Sequence, residues 1–342
     1  MRILVDDGLS TIKKQRTGIG WDTIELIEML RLSGHTVDTP TYPRFFMKLP
    51  NALKRLLYVA YFSRRYVKSE MYDYIHYNNF FMPPVKHKAK VVVMIPDVSP
   101  YYFPETFPVV YRKYAQKTIR DSIKWADKIL AISQAGYDEL AEMFPAYKHK
   151  YAIKNSLVRE SIRYYKAVRA NNEEQYFLYV GVIEKRKNLE LLCRAFAKFN
   201  KTSPDVKLIL VGKPGFNFEA VEEEMKKCEA IIYKNYVSEE ELSALYANAI
   251  AFVFPTLYEG FGKPVVESMF MKLPVIASKI PTNVELNNLH GNQLMLFDKH
   301  NETELTAWLE KANKERGRKD YPNLHVYFKE EVIKCLAEIY SF

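Results

Sequence analysis

Two glutamates, Glu259 and Glu267, bracket a Gly-Phe-Gly-Lys-Pro turn that follows the apolar run IAFVFPTL. A carboxylate accepts two hydrogen bonds side by side, and a pair of adjacent sugar hydroxyls offers two donors at matching separation. Pro264 suits the first turn of a helix, where its missing N–H would be an orphan anyway. The spacing therefore predicts Glu259 in a loop and Glu267 about one turn into the following helix. Gly260 and Gly262 permit close approach of the backbone to a ligand, and the free N–H groups at the helix start, those of Phe261 and Gly262 among them, suit an anion. A lone first-turn glutamate is as well explained by the helix dipole. The combination of strand, glycine turn and second acid points instead to a ligand with two sugar rings.

A second constellation lies earlier, in YVGVIEKRKNLELL, where a strand ends at Gly181 and Lys185, Arg186 and Lys187 precede Asn188. Asparagine is a favoured N-cap, so cations and a helix N-terminus gather at one strand end, as a diphosphate requires. Charge alone is also consistent with a solvated basic loop. Gly212 and Lys213 follow the strand VKLIL and either meet a ligand or make a turn. Gly18 and Gly20 stand before an amphipathic stretch, where a lone Gly-x-Gly is more often a turn than a phosphate loop. His76 closes DYIHY, a position where histidine more often packs than reacts, and Asp97 follows VVVMIP.

For these residues to meet, strand ends must be brought together. Short β-branched apolar runs alternate with longer amphipathic stretches along the whole chain, the signature of parallel βαβ units. Strands are expected at RILVDD, HTVDTP, DYIHYN, KVVVMIP, KILAIS and KYAIKN, then at QYFLYVG, VKLILVG, AIIYKNY, IAFVFPT, LPVIAS and QLMLFD. The expected fold is α/β: two Rossmann-like, doubly wound domains facing a central cleft. The polar stretch at 158–175 reads as a linker, giving domains at 1–165 and 166–322 and a terminal helix at 323–342 that is free to pack back on the first. Ligands of open parallel sheets bind beyond the carboxyl ends of the strands, which is where the candidate residues fall.

Composition narrows the class. The chain has 342 residues, 48% of them hydrophobic, enough for two cored domains. Cys193, Cys228 and Cys335 show neither disulfide nor zinc spacing, and Asp6-Asp7 alone is too thin for a metal, so none is expected. The opening MRILVDDGLS lacks the order of a signal peptide, and no apolar run nears the roughly 20 residues that span a bilayer. A cytoplasmic location is expected. Of the net charge of +9, residues 1–165 carry +10 and the rest −1. Much of that excess lies in residues 44–68, from Arg44 to Lys68, with seven Lys or Arg, no acid, and interleaved Phe, Leu, Tyr and Val. Such a segment suits the anionic inner face of a membrane as a peripheral contact; the alternative is an ordinary helix pair with a cationic outer face. No nucleic-acid reader motif accompanies the charge.

The strand, Glu259, glycine turn and Glu267 resemble the E-x7-E signature of retaining glycosyltransferases of the GT-B fold, in particular glycosyltransferase family four. Gly181, Arg186, Lys187 and Asn188 match that family's G-x-x-x-x-R-K-N pattern. DYIHYNN, PDVSPYYFPE, Ser133 in KILAIS and Asn155 in KNSLV follow in the family's order, so the resemblance covers nearly the whole chain. It implies transfer of a sugar from a nucleotide diphosphate sugar, the co-substrate, with no other cofactor. Arg186 and Lys187 would hold the diphosphate, Glu259 the transferred sugar and Glu267 the ribose. Gly18 and Gly20 would close over the diphosphate, Gly212 would line the donor site, and Tyr236 and Val237 would lie near the base. His76 and Asp97 would serve the acceptor side. Pro96 departs from the pattern, standing where the family commonly has histidine, so that histidine's role cannot be carried over.

The resemblance further implies a glycan or lipid-linked acceptor in cell-surface polysaccharide synthesis. GDP-mannose is the first expectation for the donor by family frequency, with UDP- and dTDP-sugars as alternatives. A sugar-nucleotide epimerase or hydrolase on the same fold, or a non-catalytic sugar-nucleotide-binding protein, stays open because fold does not fix chemistry.

Overall fold

A computed structural model describes residues 1–6, 18–165 and 174–341. Within them the expected apolar runs form two six-stranded sheets. The first contains β1 (Arg2–Asp6), β2 (Thr36–Asp38), β3 (Tyr74–Tyr77), β4 (Lys90–Met94), β5 (Lys128–Ala131) and β6 (Tyr151–Ile153), in the order β2-β1-β3-β4-β5-β6. The second contains β7 (Gln175–Val180), β8 (Val206–Val211), β9 (Ile231–Lys234), β10 (Ala251–Phe254), β11 (Val275–Ser278) and β12 (Met295–Phe297), in the order β12-β11-β10-β7-β8-β9. Neighbouring strands are parallel throughout.

Period-two alternation explains why both faces of the first sheet need cover. Leu4, Ile75, Tyr77, Val91, Val93 and Ile129 point to one face, where Ala115, Ile119 and Ile123 of helix Val109–Trp125 meet them. Ile3, Val5, Tyr74, Val92, Met94 and Leu130 point to the other. There they are met by Leu26, Met29 and Leu30 of helix Gly18–Leu32 and by Val332, Leu336 and Ile339 of helix Lys329–Ile339. A sheet apolar on both sides is stable only when buried on both sides.

The chain divides into two compact units, one of residues 1–157 with 326–342, the other of residues 158–325. Residues 158–165 belong to the second unit. They are no free linker: Val158 and Ile162 are buried apolar side chains, and a helical turn forms at Glu160–Arg163. Of the rest of the expected linker, residues 166–173 lie outside the described residues, as do residues 7–17, and Gln175 already belongs to β7.

The basic segment forms helices Arg44–Lys48 and Asn51–Ala60 and the turn Phe62–Arg64. Phe46, Tyr58 and Phe62 build a small core of their own, with the Phe46 and Phe62 rings 4.6 Å apart. Phe45 and Tyr61, each 62% exposed, stay outside it with Met47 and Leu53. Arg44, Lys48, Arg64, Arg65 and Lys68 are exposed around them. Among the described residues no helix is long and apolar enough to cross a membrane.

Candidate active site

In the second sheet the strand order reverses between β7 and β10, which pair directly. Loops leaving two such strands diverge and leave a crevice between them. From β7 the chain passes Gly181 and enters a single turn of tight helix at Lys185–Lys187; from β10 it runs through Thr256 to Glu259. The two loops are tied by Leu257 N donating to the Arg186 carbonyl at 2.9 Å. Beside them, a Cβ on Gly212 would lie 1.7 Å from the Gly181 carbonyl oxygen, so only glycine lets these strand ends meet.

Arg186, Lys187 and Glu259 come together here. Lys187 Nζ donates to Glu259 Oε1, Arg186 Nη1 lies 3.3 Å from the same oxygen, and Thr256 Oγ1 lies 3.1 Å from it. All three contacts fall on Oε1. Arg186 also donates to the Tyr258 carbonyl at 2.7 Å and to Glu184 Oε1 at 2.8 Å. The Lys187 ammonium sits 5.5 Å from the Phe254 ring centroid, an arrangement that stabilises a cation away from water. Burial is the largest influence on Glu259 and works against its charge, yet Lys187 and Arg186 outweigh it and hold the carboxyl below its ordinary range. Burial pulls Lys187 below the ordinary lysine value, with Glu259 opposing.

Asn188 corrects its expected role as an N-cap. It precedes helix Leu189–Asn200 but adopts a left-handed conformation, φ 56°, and makes no side-chain cap bond. That conformation carries its amide away from the helix, and Nδ2 donates to the carbonyls of Pro255 at 3.2 Å and Lys299 at 2.9 Å. It braces the loops after β7, β10 and β12 together.

Glu267 lies in helix Lys263–Phe270, entered through Gly262 at φ 94°, and has no exposed surface. Gly260 is buried with Gly262, and Phe261 is half-buried. Tyr246 donates to Glu267 Oε2 at 3.1 Å. Arg159 Nε lies 2.8 Å from Oε1, an ion pair whose N–H is not lined up for a hydrogen bond, so Oε1 has no hydrogen-bond partner. Tyr236, by contrast, is 69% exposed beyond β9 at the sheet's edge, and Val237 beside it is half-buried.

In the first unit the order reverses between β1 and β3, and a buried polar network gathers there. Gly18 opens helix Gly18–Leu32, Gly20 is buried in its first turn, and the loop expected before them lies outside the described residues. His76, on β3, is wholly buried: Nδ1 meets the Tyr340 hydroxyl and Nε2 lies 3.2 Å from Asn78 Oδ1. Asn78 Nδ2 donates to Asp22 Oδ2 and to Thr23 Oγ1, both at 2.9 Å, so Oδ1 is left to accept from His76. The ring is therefore the Nε2–H tautomer, accepting at Nδ1 from Tyr340. Burial, reinforced by Lys154, lowers the His76 pKa to about 3. Asp97, half-buried, accepts from the backbone N–H of Ser99 at 2.9 Å and from its hydroxyl. Ser133 caps helix Gln134–Met143, accepting from Gly136 N at 3.0 Å.

Residues 161–331, half of the chain, match the family model described as glycosyl transferases group 1. The chain belongs to this family. Among curated relatives, this glycosyl transferase is 30% identical over 227 residues to O-antigen chain mannosyltransferase B of Escherichia coli, covering 63% of this chain and 59% of that one. It is 28% identical over 193 residues to O-antigen chain mannosyltransferase RfbU of Salmonella typhimurium, covering 55% and 52%. It thus spans between half and two thirds of those relatives. Its fold is that of Anabaena Alr3699/HepE in complex with UDP and glucose, with TM-score 0.71, 17% identity and coverage of 99% and 98%. WaaG, a glycosyltransferase involved in lipopolysaccharide biosynthesis, likewise superposes with TM-score 0.71 at 15% identity, over 98% and 94%.

Three site residues of the glycosyl transferase escaped sequence reasoning. Thr256 and Glu184 carry no spacing signal of their own, and Arg159 lay in the stretch read as linker. Only the adjacency of β7 and β10, and the burial of Val158 and Ile162, brings them to the acids.

Proposed function

We propose that this chain transfers a hexose from a nucleoside diphosphate sugar to a hydroxyl of a glycan or lipid-linked acceptor, with retention at the anomeric carbon, in cell-surface polysaccharide synthesis. The observation that carries it is the convergence of Lys187, Arg186 and Thr256 on one oxygen of Glu259 at the switch point of the second sheet. With Oε1 held by three groups, Oε2 is fixed in direction and open to a sugar hydroxyl. Arg186 and Lys187 face the diphosphate, whose negative charge grows as the glycosidic bond breaks. Cations already fixed in place stabilise that developing charge without reorganising. Glu267, through its unfilled Oε1, takes the ribose. The two names above favour mannose as the sugar, and hence GDP-mannose as the donor. UDP in the HepE complex keeps UDP-sugars in the test set.

On the acceptor side, Phe45 and Tyr61 amid exposed cations suit an anionic membrane surface carrying a lipid-linked acceptor: aromatic side chains enter the headgroup region while arginine and lysine pair with phosphates. A location on the inner face of the cell membrane follows from that contact.

The deciding experiment is a thermal-shift screen against GDP-, UDP-, dTDP- and ADP-sugars, repeated with Glu267→Ala. A ligand at about 100 times its dissociation constant adds roughly 2.7 kcal/mol. A shift with one nucleotide family that the variant loses supports the donor site; no shift with any of them counts against it.

A further inference from the structure

Glu267 sits in an unusual position for a group meant to grip a ligand. Its carboxylate has no exposed surface, and a buried carboxylate needs a compensating charge. That charge is Arg159, 2.8 Å away and itself 24% exposed at the side chain. Tyr246 takes Oε2 at 3.1 Å, while Oε1, on the Arg159 side, has charge compensation and no hydrogen bond.

The placement of Arg159 is set by packing. Val158 before it and Ile162 after it are buried, and Ser243 Oγ donates to the Ser161 carbonyl at 3.4 Å. These contacts dock the turn Glu160–Arg163 on the unit without help from the ion pair. A buried ion pair is in general a poor device for stability, because desolvation offsets the attraction. An arginine here therefore calls for a reason other than holding the turn down.

We propose that Arg159 is a positioning residue for the donor's ribose: it balances the charge of Glu267 and fixes Oε1 with an acceptor position unfilled, so that a ribose hydroxyl supplies the hydrogen bond the guanidinium leaves unmade. Resting on the donor site proposed above, this assigns to Arg159 the discrimination between ribose and a sugar lacking those hydroxyls. Tyr246 fixes the far oxygen, Arg159 fixes the near one, and the hydroxyl completes the set.

The test is calorimetric binding of GDP and UDP and of their 2′,3′-dideoxy forms to the unaltered chain and to Arg159→Met, Arg159→Lys and Glu267→Gln. The unaltered chain is expected to prefer the ribose form of whichever nucleotide binds tighter by at least about tenfold. Arg159→Met should weaken binding of that form by about tenfold and leave the dideoxy form unchanged, so that the preference collapses. Arg159→Lys, which keeps the charge, should recover most of it, and Glu267→Gln should match Arg159→Met. A preference that survives in Arg159→Met, or an equal loss with both forms, overturns the role of Arg159 and leaves the ribose site standing. No preference in the unaltered chain overturns the ribose site itself, and the inference with it. If Arg159→Met does not fold, Arg159→Lys and Glu267→Gln decide: the first must keep the preference and the second must lose it.

Discussion

The ammonium of Lys154, 3% exposed at the end of β6, lies 2.7 Å from Asp22 Oδ1 in the first turn of helix Gly18–Leu32, across 132 residues of sequence. The other carboxylate oxygen of Asp22 accepts from Asn78, which in turn accepts from His76. The network thus links β6, β3 and the first helix around one buried charge pair.

Removing one partner of a buried pair strands the other, at a cost of about 3–5 kcal/mol. Asp22→Asn, which keeps the bond from Asn78 but removes the charge, should lower stability by that order in urea unfolding. Asp22→Asn combined with Lys154→Met should recover most of the loss. Additive losses in the double variant would show that the two charges do not act as a pair.

Acid should loosen the first unit through His76. In the unfolded chain the ring takes up a proton below its ordinary value of 6.5, whereas the buried ring stays neutral down to about 3. The unfolded state therefore binds more protons in this window, and stability rises with pH across it by roughly 1.4 kcal/mol per unit. Between pH 7 and pH 5 the unaltered chain should lose roughly 2 kcal/mol more than His76→Gln does. Equal losses in the two chains would mean that His76 titrates normally.

At the switch point of the second sheet, Lys187→Ala and Glu259→Gln should each lower kcat by about 10²- to 10³-fold, measured as nucleoside diphosphate released in the presence of acceptor. Donor KM should change far less, because these groups act on charge that develops as the bond breaks. A rise in KM with kcat intact would make them simple binding groups.

For the basic segment, co-sedimentation with vesicles is the direct measurement. Binding to vesicles rich in anionic lipid should exceed binding to neutral ones and fall with salt. Phe45→Ser with Tyr61→Ser should weaken it, as should Arg64→Glu with Arg65→Glu. Indifference to lipid charge would remove the membrane contact from the proposal.

Much of this architecture was legible because parallel strands buried on both faces must be apolar throughout, and runs such as KVVVM and AFVF have few other uses. The glycine turn before Glu267 and the cations before Asn188 were legible for a similar reason, since each stands where a strand must end. What could not be read was direction. Asn188 has the residue type of an N-cap, but its left-handed backbone turns the amide toward Pro255 and Lys299. His76 has the residue type of a proton carrier, yet Tyr340, 264 positions away in sequence, meets its ring. Arg159 gave no spacing signal, because its link to Glu267 exists only once Val158 and Ile162 are buried.

The last stretch, residues 326–342, completes the same unit that begins at residue 1, while residues 158–325 form the other. During synthesis the order of completion is therefore inverted. The second unit has all its residues before the first does, and until helix Lys329–Ile339 emerges, Ile3, Val5, Leu26 and Met29 lack the apolar partners Val332, Leu336 and Ile339. Until then that face of the first sheet has only helix Gly18–Leu32 to cover it, and the early half of the chain waits part-covered while the second unit is made.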